Sequence, residues 1–268
     1  MSENVANEPV WVLHRRPWQE TSLHLELLTR HHGRIAALAR GARRPRRREA
    51  ARPEPFRPLL AAWSLRRPGG LANLGTLEPA GAAPALEGEP LWSAFYLNEV
   101  LLRLLPRGVP QEGVHDLYAA TLVALASGAP ERLAPRAVVR RFEKRLLDAL
   151  GFGPDFLRAV SDGQRVDRAL FYRATVGAGG TVRVERTENG ISGALLWALA
   201  EERFEDPDVL RLADRLLPAC LVAHTGPLER SRGVYGAVRA LVALRSSPST
   251  PPGSSPSTPP ESSDAPSP

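Results

Sequence analysis

Cysteine is nearly missing from this chain: Cys220 is the only one in 268 residues. A single cysteine excludes an internal disulfide and any cysteine-rich zinc site, and it suits a reducing compartment, so a cytoplasmic location is expected. Lysine is just as scarce. Of 35 basic residues only Lys144 is a lysine, and with so much Ala, Pro and Gly this reads as arginine standing in for lysine throughout. No apolar run approaches the roughly 20 residues of a membrane-spanning helix. The opening MSENVANEP has neither the basic nor the apolar region of a secretory signal. A soluble chain with no membrane attachment is expected.

Catalytic patterns are missing as well. The six histidines, at 14, 24, 31, 32, 115 and 224, form no H-E-x-x-H and meet no carboxylates at ligand spacing. His31-His32 reads as part of a turn. Gly177 to Gly180 fits neither phosphate-loop pattern and reads as a hairpin tip, where glycine supplies positive φ. No G-x-S-x-G elbow occurs, and Cys220 falls on the apolar side of a helix, as a buried inert thiol does. The sequence therefore offers no catalytic residue, no metal site and no cofactor, and a non-enzymatic protein is expected.

What the chain does have is clustered arginine. Arg34 to Arg57 holds nine arginines against Glu49 and Glu54, a net +7, while the whole chain is only +6. A bias toward arginine explains the residue type but not this concentration. A local cationic patch attracts a polyanion, and guanidinium forks match phosphate oxygens. Gly41 to Pro53 has no apolar period and reads as an arm between strands. Arg34, Arg40, Arg43, Arg44, Arg46, Arg47, Arg48 and Arg52 are candidate DNA contacts, joined by Arg15 and Arg16, with Arg66 and Arg67 extending the surface. Bases stack on aromatic rings. Trp11, Phe56 and Trp63 lie in the same region, with Trp63 read as core. Trp18, expected in the loop RRPWQE beside Arg15 and Arg16, is the stacking candidate.

Five short strands are expected within the first 80 residues: Val10 to Leu13, the alternating Ser22 to Leu27, Arg34 to Ala39, Phe56 to Ser64 and Leu71 to Leu77. They fit a small closed barrel of the OB type. After a turn-rich stretch, Gly81 to Pro90, the period becomes helical. Helices are expected from Leu91 to a stop at Pro106, over Val114 to Ala126, and from Pro135 to Leu150. A hairpin over Phe171 to Val184 follows, then helices from a Ser192 cap through Ala200, over Pro207 to Val222 and over Ser231 to Leu244. The fold class is α+β. Residues 1–80 form the barrel, 81–245 a helical domain with a hairpin near 170–185, and 246–268 a disordered Ser/Pro-rich tail.

VLHRRPWQETSLHLELLTRHHGRIAALARGARR, FYLNEVLLRLLP, RRFEKRLLDALGFGPD, ENGISGALLWALA and LERSRGVYGAVRAL occur in that order. Together they resemble the RecO family of bacterial recombination-repair mediators, from about Val10 to Leu244. The resemblance implies an N-terminal OB barrel and a helical C-terminal domain. It also implies binding of single- and double-stranded DNA and strand annealing. The implied partner is RecR, with RecA loaded onto DNA coated by single-strand-binding protein (SSB). Many relatives carry a four-cysteine zinc site after the GFGP segment; this chain has no cysteine there and looks like the metal-free branch. The family holds the acidic, Phe-ended SSB tail on its helical domain. The third helix offers cations beside apolar residues, so Arg140, Arg141 and Lys144 are expected to meet the tail, with Leu147 and Leu150 nearer the ring. The competing reading of the residues is an OB-type RNA-binding or ribosome-associated protein. A nuclease is disfavoured because no carboxylate cluster is evident.

Overall fold

The structure, a computed structural model, describes residues 3–42, 52–67, 69–127, 133–159 and 163–226. Five strands form the N-terminal unit: β1 (Glu3–Trp18), β2 (Ser22–Thr29), β3 (Arg34–Ala39), β4 (Leu59–Leu65) and β5 (Leu71–Pro79). They close in the order β1-β2-β3-β5-β4, with β4 returning to β1, so the sheet keeps no free edge. All pairings are antiparallel except β3 with β5. This is the OB-type barrel.

β1 is far longer than the apolar run Val10 to Leu13 that marks it in the sequence, because it serves two partners. Its first half pairs with β4 and its second with β2. A register shift between Val5 and Glu8, with Asn7 at φ 56°, lets it bend between them; asparagine tolerates that left-handed conformation better than most residues. Trp18 consequently ends a strand rather than sitting in a loop.

Val10, Val12, Leu25, Leu27, Ile35, Ala37, Ala61, Trp63 and Ala72 point inward and fill the barrel. Trp11, Leu13, Leu28 and Phe56 point outward into a second core shared with the helices. Both faces of β2 are therefore covered. Its alternation of leucines with Ser22, His24 and Glu26 suggests one wet face, yet those polar residues are also buried.

The C-terminal part contains α1 (Gly88–Leu104), α2 (Glu112–Ser127), α3 (Pro135–Ala149), β6 (Phe171–Val176), β7 (Val182–Thr187), β8 (Ile191–Ser192), α4 (Gly193–Ala200) and α5 (Pro207–Thr225). Pro135 and Pro207 open their helices, where a missing N–H costs nothing. Ser192 Oγ accepts from the Leu195 N–H and caps α4. The expected hairpin gains a strand: β8 lies beside β6, giving the order β7-β6-β8. Pro218 falls inside α5 and is buried there. The expected helix over Ser231 to Leu244, the tail 246–268 and most of the arm lie outside the described residues.

Buried polar groups join the barrel to the helices. Asn98 Nδ2 donates to the Leu13 carbonyl at 2.9 Å, and Tyr118 Oη donates to Asn98 Oδ1 at 2.5 Å. Trp11 meets the Tyr118 ring edge-on, centroids 5.6 Å apart.

Candidate nucleic-acid interface

Beyond the shift at Val12/His14, β1 pairs His14 with Glu26, Arg16 with His24 and Trp18 with Ser22. In an antiparallel pair, opposed residues share a face. Their neighbours Leu25 and Leu27 point into the barrel, so this row lies outside. β3 continues the face with Leu38 opposite His24 and Ala36 opposite Glu26. Arg40, exposed, follows Ala39 one step past its pairing with Leu23, level with the tip of the β1–β2 turn.

Trp18 is 38 % exposed, the only tryptophan of the barrel that is. The Arg16 guanidinium lies 5.8 Å from its ring centroid, and the His24 ring 6.0 Å away at 42°. Burial holds the His24 imidazole below its ordinary pKa, and the Arg16 charge adds to this. A neutral imidazole therefore lies under the tryptophan near neutral pH. Arg15, Arg16 and Arg40 are exposed, as is Arg52 where the chain returns toward β4. Arg43, Arg44, Arg46, Arg47 and Arg48 lie outside the described residues. Arg66 and Arg67, exposed in the β4–β5 turn, come near the start of β3, whereas Arg40 follows its end. An exposed ring with cations beside it, on a sheet continuous with an arginine-rich arm, can stack a base and neutralise its phosphate.

Arg34 is a correction. Its Nη1 lies 2.8 Å from Glu26, and its Nε donates to the Leu105 carbonyl at 2.8 Å. Arg107 binds the same Glu26 carboxylate, and the Gly108 N–H donates to the Arg34 carbonyl at 2.8 Å. Arg34 thus fastens the barrel to the α1–α2 loop and is not a free phosphate ligand. Hairpin register is the signal that could have placed it: Glu26 faces Ala36, diagonal to Arg34.

The third helix needs a second correction. Arg140 is 3 % exposed; it binds Glu143 and brings Nε to 3.0 Å from Asp214 of α5. Glu143, wholly buried, also accepts from Tyr96 Oη. Leu147 is core. Neither residue can line an open surface. Arg141, Lys144 and Arg145 instead converge on Glu202, at 3.6, 3.5 and 2.8 Å. Leu150 is half-buried, and Phe152, exposed, stacks on His224 with centroids 4.2 Å apart. Glu202 is invisible to a local reading because it lies some sixty residues from the cations that hold it.

Residues 1–82 match the family model described as Recombination protein O N terminal, and residues 87–232 the one described as Recombination protein O C terminal. The chain belongs to the RecO family. It is 41 % identical to the DNA repair protein RecO of Alkalilimnicola ehrlichii, over 93 % of this chain and 98 % of that protein. It is 37 % identical to the one from Nitrosococcus oceani, over 88 % and 95 %. Against the one from Methylococcus capsulatus it is 38 % identical over 84 % and 90 %. The family boundary falls in the turn-rich stretch between β5 and α1, so the RecO N-terminal region coincides with the barrel. Among the described residues no group of three or more His, Cys, Asp or Glu is placed to hold a metal ion, and no helix is long and apolar enough to cross a membrane.

Proposed function

We propose that this RecO-family chain is a non-enzymatic DNA-binding and strand-annealing mediator of recombinational repair, acting in the cytoplasm at the nucleoid. The observation that carries the reading is the exposed Arg16–Trp18 pair on the outer face of β1–β2–β3, at the end of the barrel where Arg40 leads into the arginine arm. Annealing breaks and forms no covalent bond. Two phosphate backbones repel, and a cationic surface that binds both lets complementary bases meet. Arg15, Arg16, Arg40 and Arg52 with the arm supply the charge for single- and double-stranded DNA, and Trp18 the stacking surface. RecR is the proposed partner in loading RecA onto SSB-coated single strands. On α3 the acidic SSB tail would meet Arg141 and Lys144, with Leu150 and Phe152 nearer its aromatic end, and would compete with Glu202 for the two cations.

The test mixes complementary oligonucleotides with the protein and no nucleotide or metal. Faster duplex formation is expected, slowed by the Arg16→Ala/Trp18→Ala double variant. Unaccelerated annealing, a preference for RNA, or cleavage of the strands would each overturn the reading.

A further inference from the structure

At the far end of β3 from Trp18 the barrel mouth opens into a cavity of about 170 Å³. Its walls include Ile35, Ala36, Trp63 and Ala72, and it lies where the β2–β3 turn, the β4–β5 turn and the α1–α2 loop meet. The wall is braced: His32 packs edge-on against Trp63 with centroids 5.3 Å apart, and Glu8 holds the His31 ring at 2.9 Å. Gly69, Gly70 and Gly108 form part of the lining, so backbone there is open to close approach by a flat ring. The rim is cationic. Glu26 is the shared counter-ion of two arginines, Arg34 and Arg107, which leaves one positive charge unbalanced, and Arg107 is 43 % exposed. Arg66 and Arg67 are exposed in the turn that supplies the glycines.

An apolar slot with a cationic rim calls for a flat ring carrying a negative charge. Size narrows the choice, since a cavity of about 150 Å³ holds a benzene-sized ring. Position narrows it further. The seven steps of β2 from Ser22 to Thr29, the separation of Trp18 from the mouth, span about 24 Å at roughly 3.4 Å each. A single strand stacked on Trp18 and extended along the outside of the barrel can reach the mouth.

We infer that this cavity is a base-binding pocket that takes one pyrimidine of a single-stranded nucleic acid, with the flanking phosphates on Arg107, Arg66 and Arg67. The inference rests on the nucleic-acid-binding reading above and adds to it a second anchor, at the opposite end of the β1–β2–β3 face. Two anchors would hold a strand extended across the sheet with its intervening bases outward, ready to pair.

The test uses the full chain and oligo(dT) carrying single 5-iododeoxyuridines at successive positions. Irradiation should cross-link one position to the peptide containing His32 or the peptide containing Trp63. Oligo(dT) should bind more tightly than oligo(dA). Ala36→Leu, which enlarges a side chain of the lining, should weaken oligo(dT) binding about tenfold, the loss of one stacked base; Ala36 is 3 % exposed, so the added bulk should also lower the melting temperature. If Ala36→Leu does not fold, cross-linking of the unaltered chain decides. Normal affinity with cross-links confined to residues 14–24 or the arm overturns the pocket and leaves the DNA-binding reading intact. Failure of the unaltered chain to bind any oligonucleotide overturns both. A folded Ala36→Leu that keeps its DNA affinity and loses binding to a purified protein partner also overturns the inference, and would assign the slot to a protein side chain.

Discussion

Asn98 carries the joint between barrel and helices, and changing it tests whether the two parts form one cooperative unit. Its side chain is 2 % exposed and makes two bonds, to the Leu13 carbonyl of β1 and from Tyr118 Oη of α2. Asn98→Leu keeps much of the volume and removes both partners at once. A buried carbonyl and a buried hydroxyl are then left unsatisfied, each costing about 1–3 kcal/mol. Burial already holds the Tyr118 hydroxyl strongly protonated, so ionisation offers no escape. A total near 3 kcal/mol corresponds to a fall in melting temperature of roughly 6–12 °C for a chain of this size. Because Trp11, Leu13, Leu28 and Phe56 belong to the same core as the helices, barrel and helices should still unfold in one transition. The double variant Asn98→Leu/Tyr118→Phe removes the orphaned hydroxyl and should recover about 1 kcal/mol or more. Urea titrations of the four proteins give the cycle. A loss below about 1 kcal/mol for Asn98→Leu, or no recovery in the double variant, would refute the claim that these bonds hold the joint.

Gly33 lies at φ +70°, and a Cβ there would fall 2.0 Å from the Val109 carbonyl oxygen, so Gly33→Ala should lower the melting temperature and open the α1–α2 loop to hydrogen exchange. Burial raises the Glu8 pKa, but hydrogen bonds from the His31 backbone and ring and the charges of His31 and His32 outweigh it and hold the carboxyl below its ordinary value of 4.5. Its contribution is therefore complete above that pH and lost as pH falls through the lower folded value; Glu8→Gln should flatten the loss of stability below pH 4.5, read by urea titration at stepped pH. Changing Arg43, Arg44, Arg46, Arg47 and Arg48 to Ala should flatten the slope of log K against log salt by about 0.7–0.9 per lost phosphate contact, measured by fluorescence titration. Arg141→Glu/Lys144→Glu should abolish binding of a fluorescent SSB-tail peptide while affinity for naked DNA is kept, whereas Arg140→Glu should unfold the chain, because it puts a second carboxylate against buried Glu143.

How much of this was legible in the sequence depends on how far a residue lies from what determines it. The barrel strands and helices are set largely by local period, and the helix starts by prolines and caps within a few residues; those positions follow from the chain alone. β1 shows where local period fails. Only Val10 to Leu13 looks like a strand, because the flanking halves owe their pairing to β4 and β2, and Pro9 and Pro17 sit inside it at positions a local reading rejects. β8, two residues long, is defined by β6 and carries no pattern of its own.

Charge divides along the same line. A run of arginine announces the positive charge, but the sequence does not say which arginines are already neutralised. Arg34 is spent on Glu26, Arg140 on Glu143 and Asp214, and Arg141 shares Glu202 with Lys144 and Arg145. Arg16 differs, because its nearest neighbour of note is a ring. The cations available to a phosphate are those left without a carboxylate once the chain has folded; among the described residues of the outer β1–β2–β3 face those are Arg16 and Arg40, while Arg15 is exposed on the side of β1 that it shares with Leu25. The counter-ions decide this. Glu143 and Asp148 lie on α3 itself, within a turn of Arg140 and Lys144, but the others arrive from other elements: Glu202 from the turn after α4, Asp214 from α5, Glu26 from the neighbouring strand. An arginine cluster therefore locates a polyanion site only where the topology brings no acid back to it. That is the reason the proposed nucleic-acid site is placed at the β1–β2 tip, where Arg16 and Arg40 are exposed.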